Sequence, residues 1–169
     1  YMESIYNKAK LASDMVNDLF LFTQMEHPRY PLHLEMTDFN EFVKSFFAEK
    51  YMEIDEGGFH LSSNMEDLPI VLMMDRRLMR RLLENLLNNA IKYNQKGTTI
   101  YIAMEKKDAS AVLTIADDGA GIPEEIAQSL FQPFVTGNRA RTTGKGTGLG
   151  LSIAQRIVQM HGGSMTFVH

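Results

Sequence analysis

Residues 84–93 read Glu84-Asn85-Leu86-Leu87-Asn88-Asn89-Ala90-Ile91-Lys92-Tyr93. On a helix, residues 85, 89 and 92 fall on one face, at i, i+4 and i+7. Leu82, Leu83, Leu86, Leu87 and Ala90 take the adjoining and opposite faces. The stretch is therefore predicted to bury a leucine side and to turn a stripe of two amides and a lysine outward. Asparagine is mildly unfavourable inside a helix, because its side chain competes for backbone hydrogen bonds. Three asparagines between positions 85 and 89 need a reason. An amide oxygen is a hard, neutral ligand suited to magnesium, which prefers oxygen and keeps several waters. A lysine one turn on can meet a phosphate as a point charge. Read alone, the stretch fits a solvated polar face equally well. Asp75 can cap the start of this helix and Gly97 ends it, giving a predicted span from Arg76 to about Asn94.

Three further stretches lie downstream. Asp117-Asp118-Gly119-Ala120-Gly121-Ile122-Pro123 follows an apolar strand pattern. A buried carboxylate at a strand end can accept from an exocyclic amine such as adenine N6, and glycines let the backbone approach a flat ring. Alone, it is an ordinary Asp-Gly turn. Phe131-Gln132-Pro133-Phe134 heads a polar, glycine-rich segment, where two aromatics either anchor a loop by its root or pack in the core. Gly144-Lys145-Gly146-Thr147-Gly148-Leu149-Gly150-Leu151 runs into a helix, whose first N–H groups form an anion site, with Arg139, Arg141 and Lys145 adding positive charge. Alone, it reads equally as a flexible surface loop. It is not a Walker A loop, because Gly146 follows Lys145 and Arg139 stands where the leading glycine would be. It is not a dinucleotide fingerprint, because no strand immediately precedes it.

In this order, the four stretches resemble the asparagine, first glycine, phenylalanine and second glycine boxes of the superfamily that unites gyrase, heat-shock chaperone, histidine kinase and mismatch-repair ATPases. The wording is most similar to the catalytic domain of two-component sensor histidine kinases, over about residues 38–169. The resemblance implies a Bergerat-type ATP-binding fold: an α/β two-layer sandwich with a mixed five-stranded sheet and three main helices, here with an added N-terminal helix. It implies ATP and Mg2+ as cofactors. Asn89 is then the magnesium ligand, with Asn85 one turn before it, and Lys92 and Tyr93 contact phosphate and nucleotide. Asp117 reads adenine above Gly119 and Gly121, with Ile122 beside them. Residues 131–147 form the ATP lid, which brings Arg139 and Lys145. Gly146, Thr147, Gly148, Leu149, Gly150 and Leu151 close on the phosphates.

Working outward, residues 2–26 read as a helix. Ile5, Ala9, Ala12, Val16 and Leu19 form a heptad seam that Leu11, Met15 and Phe22 widen. It packs either on its own domain or in a helix bundle between copies. The resemblance makes residues 1–30 the second helix of a dimerisation and phosphoacceptor hairpin, and residues 31–169 the catalytic domain with its last strand truncated. Asp38 with Glu41 marks a helix from about Phe39 to Lys50. Strands are predicted at Phe59–Ser63, Ile70–Met74, Thr99–Glu105, Ala111–Ala116 and from Ser164 to Val168. Pro123 opens a short helix, and Leu149–His161 is the last.

The choice between kinase and hydrolase turns on one position. Hydrolysing branches place a Glu four residues before the magnesium Asn, where this chain has Asn85. Glu84 lies about 100° round the helix. Without a positioned base, attack by water is poorly assisted, which favours transfer to an outside nucleophile. None of His27, His33, His60, His161 and His169 stands in a phosphoacceptor context. The expectation is a protein-histidine kinase core that binds ATP, does not label itself, and serves a histidine on an upstream helix for relay to a response regulator. A homodimer through the N-terminal helix is expected in the full protein. The alternatives are a nucleotide-free dimerisation module and a gyrase- or chaperone-type hydrolase.

Bulk properties set limits. A chain of 169 residues suits one domain with a short attachment. A net charge of −4 gives no support to a nucleic-acid partner. The absence of cysteine excludes a disulfide scaffold and a Cys-ligated zinc site. The 12 methionines fit flexible core filling. No apolar run reaches about 18 residues and no signal-peptide pattern is present, so no membrane contact is expected of this chain. A cytoplasmic location is expected, as the inner part of a membrane-bound sensor. The first residues fall inside a helical pattern and the last inside a strand pattern, so both ends read as cuts.

Overall fold

The computed structural model describes residues 1–135 and 146–168. In chain order the elements are α1 (Met2–Met25), β1 (Glu35–Asp38), α2 (Phe39–Glu56), β2 (His60–Met65), β3 (Val71–Met74), α3 (Arg76–Tyr93), β4 (Thr99–Lys107), β5 (Ser110–Asp117), α4 (Glu124–Ala127) and α5 (Gly150–Met160). They divide into two compact units. One is Leu32–Gly121; the other joins Tyr1–Pro31 to the residues from Ile122 on.

In the first unit, two aspartates set where the helices start. The Asp38 carboxylate accepts from Glu41 N–H and Ile70 N–H, both at 3.2 Å, so one cap also ties α2 to the approach to β3. Asp75 does the same for α3, accepting from Leu78 N–H at 3.1 Å and from His33 N–H at 3.0 Å. Ile100, Ile102 and Met104 on β4 are buried while Tyr101 between them is exposed, the period-two pattern of a strand with one covered face. Apolar residues of α2 and α3 complete the core, among them Val43, Phe46, Phe47, Leu78, Leu83 and Leu87, with Phe46 and Phe47 packed edge to face at 5.1 Å.

The α/β class is as expected, but the sheet is not one five-stranded sheet. β1 and β3 form a separate antiparallel pair with Met36 opposite Met73. β2 runs parallel to β4, and β4 antiparallel to β5, in a three-stranded sheet. Asn40 on α2 holds the chain between the two sheets. Its buried amide donates to the carbonyls of Glu66 and Leu68 in the link between β2 and β3. Lys44 adds a bond to Glu66 O at 3.2 Å. The chain between the two strands is thus fastened to α2. The residues from Ser164 to Val168 form no strand, because they share a ladder with no other described segment. Glu35–Asp38, where no strand was predicted, is a strand because β3 supplies the partner edge.

The second unit is built on α1 and α5. Met25 and Asp18 are the buried residues of α1. Arg156 on α5 donates from both Nε and a terminal nitrogen to Met25 O, at 3.0 and 2.9 Å. Asp18 accepts from Thr147 Oγ1 at 2.9 Å. The heptad seam lies elsewhere on the helix: Ile5, Ala9, Ala12, Val16 and Leu19 are exposed, Met15 with them, while Leu11 and Phe22 are half-buried. One face of α1 thus packs within its unit and the seam stays open to a further helix. No helix of the described residues is long and apolar enough to cross a membrane.

Candidate nucleotide site

Helix α3 carries the amide stripe, and burial separates its members. Asn85 is only 8% exposed, and Asn89 and Lys92 are half-buried. Asn88, between them, is exposed. The stripe is therefore not the outward-facing one the spacing predicted. Asn85 stands among Leu82, Leu83 and Leu87, all buried. A buried amide is held only where it finds partners, and Asn85 is engaged. The reading of a simple solvated face fails for this residue. Lys92 Nζ sits 3.0 Å from Tyr93 OH and 4.5 Å from the centre of that ring, so the tyrosine steers the ammonium.

Glu84 points away, as its 100° offset requires. It pairs with Arg80 Nε at 3.4 Å. Arg80 in turn grips Glu49 on α2 and lies over the Phe46 ring at 5.5 Å. That guanidinium holds the Glu49 carboxyl below the usual carboxylate range, through the hydrogen bond first. Glu84 is thus committed to an ion-pair chain on the outer side of the helix.

At the end of β5 the two aspartates divide their work. Asp118 accepts from Thr99 N–H at 2.7 Å and lies 3.5 Å from Tyr101 OH, tying the bend to β4. The Thr99 backbone bond lowers its pKa. Asp117 accepts from Gly119 N–H at 3.1 Å, in a local turn. It was expected to be buried, and it is exposed. It stands at the last position of β5. An exposed carboxylate can accept further hydrogen bonds, at the cost of the strength a dry environment would lend it.

The glycines of this bend serve different needs. Gly121 has φ of 72°, a left-handed conformation that side chains disfavour. Gly119 needs space instead: a Cβ there would stand 1.7 Å from Asn94 Oδ1 and 2.9 Å from Asp117 Oδ1. The end of α3 and the bend after β5 therefore meet, with Asn94 as the point of contact. Asn94 directly follows Tyr93, where the sequence pattern predicts only a helix end.

The remaining predicted residues belong to the second unit. Gly146 and Gly148 have φ of 90° and 70°. Gly150 opens α5, Leu149 is buried, and Leu151 and Ile122 are half-buried. Thr147 Oγ1 donates to Asp18 and accepts from Leu149 N–H at 3.2 Å, so this hydroxyl orders the helix entry. Phe134, with φ of 66°, is exposed, so it is no core residue; its N–H donates to Gly148 O at 2.8 Å. The phenylalanine and second glycine stretches are thus joined through backbone. Arg139 and Lys145 lie outside the described residues. A separate groove of about 400 Å³ between α2 and the sheet is lined by Phe47, Tyr51, Leu61, Met65 and Lys44. Its lysine is paired with Asp67 at 3.1 Å, and it gathers no groups for a nucleotide.

Comparison with known proteins agrees with this geometry. Residues 74–169 match the family described as histidine kinase-, DNA gyrase B-, and HSP90-like ATPase. Sensor protein GtcS of Aneurinibacillus migulanus is 35% identical over 89% of the chain, which spans 40% of that relative's length. The structure of histidine kinase AdeS of Acinetobacter baumannii is 27% identical with a TM-score of 0.74, covering 94% of this chain and 72% of that one. Histidine kinase ThkA, in complex with response regulator protein TrrA, shares the fold at 21% identity, with a TM-score of 0.76 over 96% of this chain and 44% of that one. The chain belongs to the histidine kinase-, DNA gyrase B- and HSP90-like ATPase family, as the ATP-binding catalytic domain of a sensor histidine kinase.

Proposed function

We propose that the chain binds ATP with magnesium and transfers the γ-phosphoryl group to a histidine on a dimerisation hairpin, for relay to a response regulator. In that step an imidazole nitrogen forms the N–P bond, the β–γ bridging P–O bond breaks, and ADP leaves with the electron pair. The observation that carries the reading is the meeting of the α3 end with the Asp117–Gly119 bend. It brings the amide stripe and the candidate adenine acceptor into one unit. Asp117 accepts from the exocyclic amine of the base. Asn89, with Asn85 before it, faces the metal, and Lys92 faces phosphate. Among the described residues no three His, Cys, Asp or Glu side chains gather as a metal cage. A magnesium ion held at Asn89 would take its other oxygens from water and phosphates, the pattern usual for this ion.

The engagement of Glu84 by Arg80 favours phosphoryl transfer over hydrolysis, because no carboxylate of this helix is left to activate water. Two histidine rings have local backbone partners: His27 Nδ1 accepts from Arg29 N–H, and His161 Nδ1 lies 2.7 Å from Ile157 O. This supports an acceptor histidine on another helix. The exposed seam of α1 supports pairing of that helix in a bundle, within a homodimer. The partner in ThkA's complex supports a response regulator as the downstream protein. A magnesium-dependent melting shift with an ATP analogue, lost in Asn89→Ala, tests binding. At about a hundredfold excess over Kd the stabilisation should be roughly 2.7 kcal/mol. Adding a phosphoacceptor hairpin should then produce acid-labile phosphohistidine. Steady hydrolysis by the chain alone would show a hydrolase instead, and no shift with any nucleotide would show a non-catalytic module.

A further inference from the structure

We infer that Asn94 is a positioning residue for base recognition, and that Asn94 and Gly119 act as a size pair setting where Asp117 meets the purine edge. The inference rests on the nucleotide reading above and adds a residue to it. The side chain of Asn94 is fixed at two points. Its Nδ2 donates to Ala90 O at 2.8 Å, bonding the last turn of α3. Its Oδ1 lies where a Gly119 side chain would be, 1.7 Å from an ideal Cβ, with Cγ 2.5 Å away. An anchored amide cannot swing aside without losing its bond to α3. The bend is therefore held at a set distance from the helix that carries Asn89.

Asp117 is caught in the same arrangement. Its Oδ1 accepts from Gly119 N–H and stands 2.9 Å from the position of that missing Cβ. Moving Gly119 thus moves the hydrogen bond that orients the carboxylate. Asp118 fixes the other side of the bend to Thr99 at 2.7 Å. Between these two attachments, the direction of Asp117 follows from how closely residue 119 approaches Asn94. A purine with a 6-amino group offers a donor to that carboxylate, whereas a 6-oxo purine offers an acceptor and is repelled. Asn94 acts on this discrimination without touching the base.

The test uses the whole chain, with ATP and inosine triphosphate as paired probes. In Asn94→Ala the preference for ATP over inosine triphosphate should fall by about tenfold, as the orientation of a charged acceptor is lost. Asn94→Ser, which keeps a polar group but vacates the Oδ1 position, should show the same fall if the alanine variant melts too low to assay. Gly119→Ala in the parent should lower melting by roughly 5 °C through overpacking. In the Asn94→Ala background it should cost distinctly less, because only the 2.9 Å approach to Asp117 Oδ1 remains. An unchanged nucleotide preference in both position-94 variants overturns the positioning role. Equal damage by Gly119→Ala in both backgrounds overturns the size pair. If the parent binds neither nucleotide, the functional reading falls and the role of Asn94 with it, whereas melting reads the 94–119 contact with no nucleotide present.

Discussion

Replacing Asp18 by alanine removes the polar tie between α1 and the entry to α5. Asp18 is 7% exposed and accepts from Thr147 Oγ1 at 2.9 Å. A hydrogen bond to a charged, largely buried acceptor contributes about 1.5–3 kcal/mol, more than a neutral pair. The loss is partial, because Thr147 Oγ1 still accepts from Leu149 N–H at 3.2 Å and Arg156 still binds Met25 O. A net cost of about 2 kcal/mol is expected, and for a chain of this size that lowers melting by roughly 4–8 °C. Asp18→Asn keeps an acceptor of the same shape without charge and should lose about half as much. The contact itself is read by a double-mutant cycle with Thr147→Val in urea denaturation. Residues in direct contact should couple, here by about 1–2 kcal/mol. Additive effects within roughly 0.5 kcal/mol would refute the tie.

Leu83→Ala should cost about 3–5 kcal/mol, because Leu83 is fully buried beneath the amide stripe; chemical denaturation reads it. Gly121→Ala should cost about 1–2 kcal/mol through its φ of 72°, and Gly121→Asn distinctly less, compared by melting temperature. The lowered pKa of Asp118 has a definite sign: its contribution is present above the unfolded carboxylate value and is lost as pH falls through the lower folded one. Asp118→Asn should therefore flatten the acid limb of a stability–pH profile; an unchanged limb would remove Asp118 from it. Asp117→Ala should abolish binding of an ATP analogue while leaving the melting temperature of the free protein nearly unchanged, since its hydrogen bond is a local turn; calorimetric titration separates the two.

Much of this protein is written locally. The caps at Asp38 and Asp75, the α3 span and the β4–β5 hairpin follow from side chains that bond their own neighbours, and these were legible without coordinates. The family was legible too, because four ordered motifs carry chemistry that few folds share. What the sequence could not state is where each member of a motif stands relative to distant residues. Spacing placed Asn85, Asn89 and Lys92 on one face; only the tertiary structure buried Asn85 and left Asn89 half-exposed. Spacing likewise could not show that Asn94 fills the space beside Gly119, 25 residues on. Nor could it show that β3 pairs with β1 outside the main sheet, or that Asn40 holds the link between β2 and β3. Hydrogen bonds and periodicity between near neighbours are fixed by residue type. Contacts across the chain depend on which surfaces the core brings together, and that is a property of the tertiary structure.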